Sequence, residues 1–231
     1  MSASASHVTL DQLPYFRVLT AAEQIPLAAH VTRHTFRTGE LLLTQGERFP
    51  NVWLLESGQL KVFRVNSAGR EHILRIAGAG ESVNDIAALD GGPAPAGVAA
   101  LTRVVAWALV GEVLRETIRQ HPELALDAIQ TLARRTRALS QQIEDLVLYP
   151  VTARLARFLL QRPTPSADDN AITRTTIAAY LGTTPESISR ALRTLEAQGA
   201  IRYDRSTVVI TQRETLQHIA TDGCPPCATS P

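Results

Sequence analysis

Residues 183–192, "TTPESISRAL", place a carboxylate, a hydroxyl and a guanidinium at Glu186, Ser189 and Arg190. Their offsets of three and four put all three on one face of a helix. An arginine can donate two bonds to guanine O6 and N7, a glutamate can accept from cytosine N4, and a serine suits a base or a phosphate. The chemistry open to this set is the reading of base edges. Thr184 is a suitable N-cap, and Pro185 fits the first helical position, where its missing N–H costs nothing. Ile188, Ala191, Leu192 and Leu195 recur on the opposite side as an apolar stripe. Glu and Arg four apart are equally the pattern of an ordinary surface ion pair, and amphipathic helix pairs occur in many proteins that never meet DNA.

What precedes and follows this helix favours the DNA reading. In "TTIAAYLG", Ile177, Tyr180 and Leu181 face inward on a short helix that Gly182 can end with a positive φ. Two helices joined by a tight glycine turn make a helix-turn-helix, whose second helix enters the major groove. After Gly199, "AIRYDRSTVVI" reads as a hairpin in the position of a wing, with Arg202 and Arg205 placed for the phosphate backbone. Arg193, further along the recognition helix, completes the candidate set.

The elements that must position this unit lie upstream. Residues 7–30 suggest one or two short helices. From about 31 to 110, β-branched and aromatic runs alternate with Gly, Asn and Ser turns, and "NSAG" joins "LKVFRV" to "EHILRIA" as a hairpin connection. Short strands at near-regular spacing predict an antiparallel roll or barrel. From about Gly111 to Tyr149 the pattern is helical. Within it, Ala125, Ile129, Leu132, Thr136, Leu139, Ile143 and Leu146 follow the four-and-three rhythm of a coiled coil. A helix of about 24 residues would be roughly 36 Å long. It can pair with a second copy or pack only on its own domain, and the regular seam favours a parallel homodimer. Pro150 marks a kink before "VTARLARFLLQ", "RPTPSADDN" (162–170) reads as a loop, and "TDGCPPCATSP" reads as a mobile tail.

The expected organisation is therefore α+β: an antiparallel β-roll over 1–120, a dimerisation helix over 121–149, and a winged helix-turn-helix with a C-terminal tail over 150–231. Bulk composition agrees with a globular protein, because 45% apolar and 19% charged residues suffice for a core. A net charge of +1 means that any basic surface for a polyanion must be local. Lys61 is the lone lysine and arginine carries almost all the positive charge, a bias that a GC-rich coding genome also produces. With no apolar run of about 18 residues and no secretory pattern at the N-terminus, a cytoplasmic protein without membrane contact is expected.

Roll, seam helix and "PESISR", in that order, resemble the CRP/FNR superfamily of bacterial transcription regulators over about residues 12–215. The glycines of "TGELLLTQGE" and "LLESGQLKVFRVNSAGRE" look like that family's sensor domain. "PESISR" looks like the FNR-type pattern E-x-x-S-R, with Pro185 where the CRP-type helix carries a leading arginine. The resemblance implies a homodimer reading double-stranded DNA at an inverted repeat of TTGAT-like half-sites, in partnership with RNA polymerase. It does not imply an enzyme.

The departures concern the signal. Cyclic-nucleotide-binding members carry a G-E pair followed about ten residues later by R-[ST]-A, whose arginine meets the cyclic phosphate. Here "NDIAALDGGPAPAGVA" puts Asn84 and Asp85 at the first motif and Pro95, Ala96 and Gly97 at the second. A loop without a cation argues against cAMP. The cysteine-rich iron–sulfur branch is excluded on ligand count, since Cys224 and Cys227 are the only cysteines. Haem, with NO or CO as its ligand as in the DNR-like and CooA-like branches, leaves His7, His30, His34, His72 and His121 as axial candidates. The C-x-x-C of Cys224 and Cys227 could be a redox pair, half of a metal site or a functionless tail. The rival is a small-molecule or cupin-like metal site in the roll. It would need His72 and Glu71, which as strand neighbours face opposite sides.

Overall fold

The computed structural model describes residues 16, 19–161, 173–204 and 207–222. They fall into two compact units, one within 1–64 and 74–135, the other within 65–73 and 136–231.

The first unit is the expected antiparallel roll. The roll's strands are β1 (Val31–Phe36), β2 (Leu41–Leu43), β3 (Asn51–Ser57), β4 (Leu60–Val65), β5 (Glu71–Ala77), β6 (Ser82–Val83), β7 (Gly97–Ala100) and β8 (Val104–Val110), of which residues 65–73, the β4–β5 tip, are grouped with the second unit. They form two four-stranded sheets, ordered β1-β8-β3-β6 and β2-β7-β4-β5. Period-two alternation divides β3 between two cores. Val52 and Leu54 face a cluster with Trp107, Leu109, Leu114 and Leu124. Trp53 and Leu55 face a second cluster, with Leu43, Leu60, Val98 and Val104. The β4–β5 connection is the predicted glycine turn. Asn66 Oδ1 accepts from the backbone N–H groups of Ala68 and Arg70, and Gly69 adopts a φ of +76°.

Helices α1 (Ala21–Ala28), α2 (Asp85–Asp90) and α3 (Gly111–Gln120) belong to the same unit. The helical stretch from Gly111 breaks at His121, and α4 (Pro122–Leu148) begins at a proline, the residue that tolerates a first helical position. Leu124 and Ala128 bury into the roll core. Along the predicted seam, Ile129 is 61%, Leu139 43% and Ile143 63% exposed in the single chain. Thr136 is exposed, and Ala125 and Leu132 are half-buried. Leu146 also serves its own unit: its Cδ2 lies 2.8 Å from the point a Cβ on Gly182 would occupy.

The second unit continues with α5 (Val151–Gln161), α6 (Arg174–Tyr180), α7 (Pro185–Ala197), β9 (Ile201–Tyr203), β10 (Val208–Ile210) and α8 (Arg213–Asp222). One core joins Leu155, Leu159, Ile177, Ile188, Leu192, Leu195, Leu216 and Ile219. The closing helix α8 corrects the sequence reading, which started the tail at Thr221. Leu216, Ile219 and Ala220 are buried, so the chain stays helical through Asp222 to complete the core. Cys224 and Cys227 lie outside the described residues. No helix among the described residues is long and apolar enough to cross a membrane.

Candidate nucleic-acid interface

Local sequence sets the helix pair. Thr173 caps α6 by accepting from the Thr176 backbone N–H at 3.1 Å. After Leu181 the chain turns at Gly182, φ +61°, in the left-handed region that a Cβ disfavours. The Thr183 N–H then donates back to the Ala178 carbonyl at 2.9 Å. Thr184 caps α7 through the Ser187 N–H, and Pro185 occupies the first turn. Ile188, Ala191, Leu192 and Leu195 are buried as the stripe predicted, and this fixes which face of α7 remains outside.

On that outer face Glu186, Arg190 and Arg193 are exposed, with Ser189 partly so. Arg190 donates from Nη2 to Ser187 Oγ at 2.8 Å, and Ser189 Oγ donates to the Pro185 carbonyl at 2.9 Å. Among the described residues Glu186 and Arg190 form no ion pair within 4.0 Å, so the surface salt-bridge reading of their spacing is not realised. The Glu186 carboxyl is held below the ordinary glutamate value, first by its own backbone N–H, then by the Thr184 hydroxyl, with a smaller contribution from the charge of Arg190. It is therefore a carboxylate at neutral pH, an acceptor with open lone pairs.

The wing is a two-stranded antiparallel hairpin with Arg202 opposite Val209 and exposed. Arg205 lies outside the described residues. The described ends of its turn are tied by Asp204 N–H to Thr207 O at 3.0 Å and Thr207 N–H to Asp204 Oδ1 at 2.8 Å. Two residues were missed in the sequence. Ser187 holds the reading arginine, and Arg174 stands exposed at the start of α6 with its guanidinium 5.7 Å from the Tyr203 ring centre. The polar run "TRTT" just before an apolar helix was the available signal for Arg174.

The roll has a second cluster of charged side chains, at the first turn of α2. Asn84 takes a φ of +64°, and its amide donates to the carbonyls of Phe49 and Asn51, both at 2.8 Å. Asp85 is 2% exposed, accepts from Ser82 Oγ at 2.5 Å and is ion-paired to Arg135 of α4. Arg135 also donates to Ser82 O and Oγ at 2.8 Å. Arg75 donates to Ser82 O at 2.6 Å and Glu81 at 2.9 Å. Burial, reinforced by the neighbouring charge of Arg135, pulls the pKa of Arg75 down. Two cations thus reach the start of α2 from β5 and α4, which the loop's own sequence did not reveal. Pro95 is exposed, while Ala96 and Gly97 are buried.

This architecture and site have relatives. Residues 33–121 match the Cyclic nucleotide-binding domain family and residues 153–219 the Crp-like helix-turn-helix domain family. The chain belongs to the CRP/FNR family of transcription regulators. Among its relatives is a CRP-like cAMP-activated global transcriptional regulator of Mycobacterium tuberculosis, 28% identical over 78% of this chain and 84% of that protein. Another is the Cyclic AMP receptor protein of Thermus thermophilus, 29% identical over 90% of this chain and 96% of that one. The solved structure of FixK2 from Bradyrhizobium japonicum shares the fold, with a TM-score of 0.74 at 23% identity over 81% of this chain and 96% of that one.

The histidine candidates of this CRP/FNR chain stand apart from one another in their surroundings. His34 Nε2 lies 3.0 Å from Thr32 Oγ1, and His121 Nδ1 lies 3.4 Å from Glu123 and 3.6 Å from Glu23. His72 Nδ1 is 2.9 Å from the Ala179 carbonyl, within the second unit. His30 is exposed at the end of α1, and His7 lies outside the described residues. Among the described residues no three His, Cys, Asp or Glu side chains gather as a metal site.

Proposed function

We propose that this chain is a sequence-specific transcription regulator that binds DNA as a homodimer, at an inverted repeat resembling TTGAT-N4-ATCAA, and that cAMP does not control it. The observation that carries the DNA reading is the open face of α7, where Glu186 and Arg190 are exposed without pairing to each other. Bidentate donation from Arg190 and acceptance by Glu186 would read base edges, with Ser189 and Arg193 alongside. Arg202 on the wing and Arg174 on α6 would meet phosphates and fix the register. The apolar residues left exposed along α4 (Ile129, Leu139 and Ile143) support pairing with a second copy, which an inverted repeat requires. Contact with RNA polymerase follows from the family resemblance.

The case against cAMP rests on Pro95, which offers no charge where a cyclic phosphate would sit. Arg135 and Arg75 approach α2, but both are engaged by Asp85, Glu81 and Ser82, so a phosphate would have to displace those bonds. Haem ligation would similarly have to displace the partners of His34, His72 or His121.

Fluorescence anisotropy on the TTGAT-N4-ATCAA duplex against a scrambled duplex, at fixed salt, tests the reading. The protein is run as isolated, with cAMP, and after anaerobic reconstitution with haem and NO. Preference for the palindrome that cAMP leaves unchanged is the expected result. Preference appearing only with haem and NO identifies a gas sensor, preference appearing only with cAMP overturns the regulatory half, and no preference in any state overturns the reading of "PESISR".

A further inference from the structure

The second unit contains a cavity of about 320 Å³ between the C-terminal half of α4, α5 and the end of α6. Its walls are chiefly apolar, from Leu146, Phe158, Tyr180 and Leu181, and two arginines of α5, Arg154 and Arg157, face it. These two arginines differ in what they already bind. Arg157 is committed elsewhere: Nη1 donates to Asp145 at 2.6 Å, Nε donates to the Ala220 carbonyl at 2.6 Å, and the guanidinium lies 3.7 Å over the Tyr149 ring. Asp145, the carboxylate of the cavity, is committed to Arg157 and accepts from Gln141 at 3.1 Å. Arg154 has one bond, from Nη1 to the Leu181 carbonyl at 2.8 Å. Its Nε is buried with no partner, and no carboxylate pairs with it among the described residues. Burial pulls its pKa down, and the charge of Asp145, which is bonded to Arg157, offsets this only in part.

We propose that this cavity binds a small organic monoanion, a carboxylate carried on an apolar body, with the carboxylate on Arg154. Charge selects the class. Two arginines against one aspartate leave a single positive charge, and the unsatisfied edge of a guanidinium offers parallel N–H donors that match a carboxylate. The walls select the rest of the molecule, because apolar surface of this extent gains by covering a ring or a short chain and gives nothing to inorganic phosphate. The volume lies at the lower end of small-molecule sites. The site does not depend on the DNA-binding reading.

Isothermal titration calorimetry of the full chain with benzoate, and with benzamide as the neutral isostere, tests it without DNA present. Failure of duplex binding therefore leaves this result standing, and the converse holds. Saturable benzoate binding is expected, with benzamide at least about tenfold weaker and Arg154→Gln at least about tenfold weaker for benzoate. Ala138→Trp fills the cavity from an exposed wall position off the seam, and it is expected to abolish binding even if Arg154→Gln fails to fold. Benzoate that gives no saturable heat overturns the proposal. So does equal binding of benzoate and benzamide, or benzoate binding that survives Ala138→Trp.

Discussion

The first turn of α2 and the outer face of α7 each bring together a carboxylate, a serine hydroxyl and a guanidinium and put them to opposite uses. At α2, Asp85 is buried and its charge is met by Arg135, with Ser82 supplying the remaining bonds. At α7, Glu186 and Arg190 stand in water one helical turn apart and leave each other unpaired. Burial makes the difference. A carboxylate taken out of water must be compensated inside the protein, so its arginine is spent on the fold. A carboxylate at an exposed N-terminal turn is stabilised by backbone N–H groups and solvent, and its neighbouring arginine stays available for an outside partner.

The comparison breaks most sharply at Asp85. Asp85→Ala leaves Arg135 half-buried without its counter-charge and is expected to cost about 3–5 kcal/mol in urea unfolding, with duplex preference retained in whatever fraction folds. A loss below about 1 kcal/mol would show that the pair is solvated like a surface one. At the open face the effect is on binding. Arg190→Ala is expected to weaken the palindrome by about 1–3 kcal/mol, relax discrimination at one base position and leave the unfolding midpoint unchanged. If specific and scrambled duplexes respond alike, the arginine contacts phosphate only.

A smaller effect is expected at the cap. Thr184→Ala removes the acceptor for the Ser187 N–H and should cost about 1 kcal/mol in stability, which Thr184→Ser should largely restore. The smallest concerns Glu186. Its folded pKa is depressed, so its contribution is fully present above the unfolded glutamate value and fades only as pH falls through the lower folded value. Carboxyl-carbon NMR should show Glu186 titrating below an unstructured glutamate, and Thr184→Ala should move it upward. An unshifted titration would leave α7 without its capping geometry.

Much of this was legible in the sequence because it depends on local pattern. Gly182, Thr184 and Pro185 specify the turn and the start of α7 through backbone conformation, and Ile188, Leu192 and Leu195 specify its buried side. The short apolar run that became β3 and the glycine turn at Asn66 announced the roll by the same logic, although only the fold divided that run between two cores. Helix α8 was hidden, since "RETLQHIATD" has few apolar residues and becomes helical by placing Leu216, Ile219 and Ala220 into a core that other elements make. The partners of Asp85 were also hidden, as Arg135 lies fifty positions away on α4.

What the sequence by itself determined is therefore the kinds of element, their order and which residues of α7 could read a base, because capping, periodicity and turn conformation act over a few residues. Tertiary structure alone decided which arginines are already taken. Arg135 is consumed by Asp85 and Arg157 by Asp145, whereas among the described residues Arg154 and Arg190 have no carboxylate partner. Only the folded chain settles this, because the pairing of a charge depends on which distant groups burial brings within hydrogen-bonding reach.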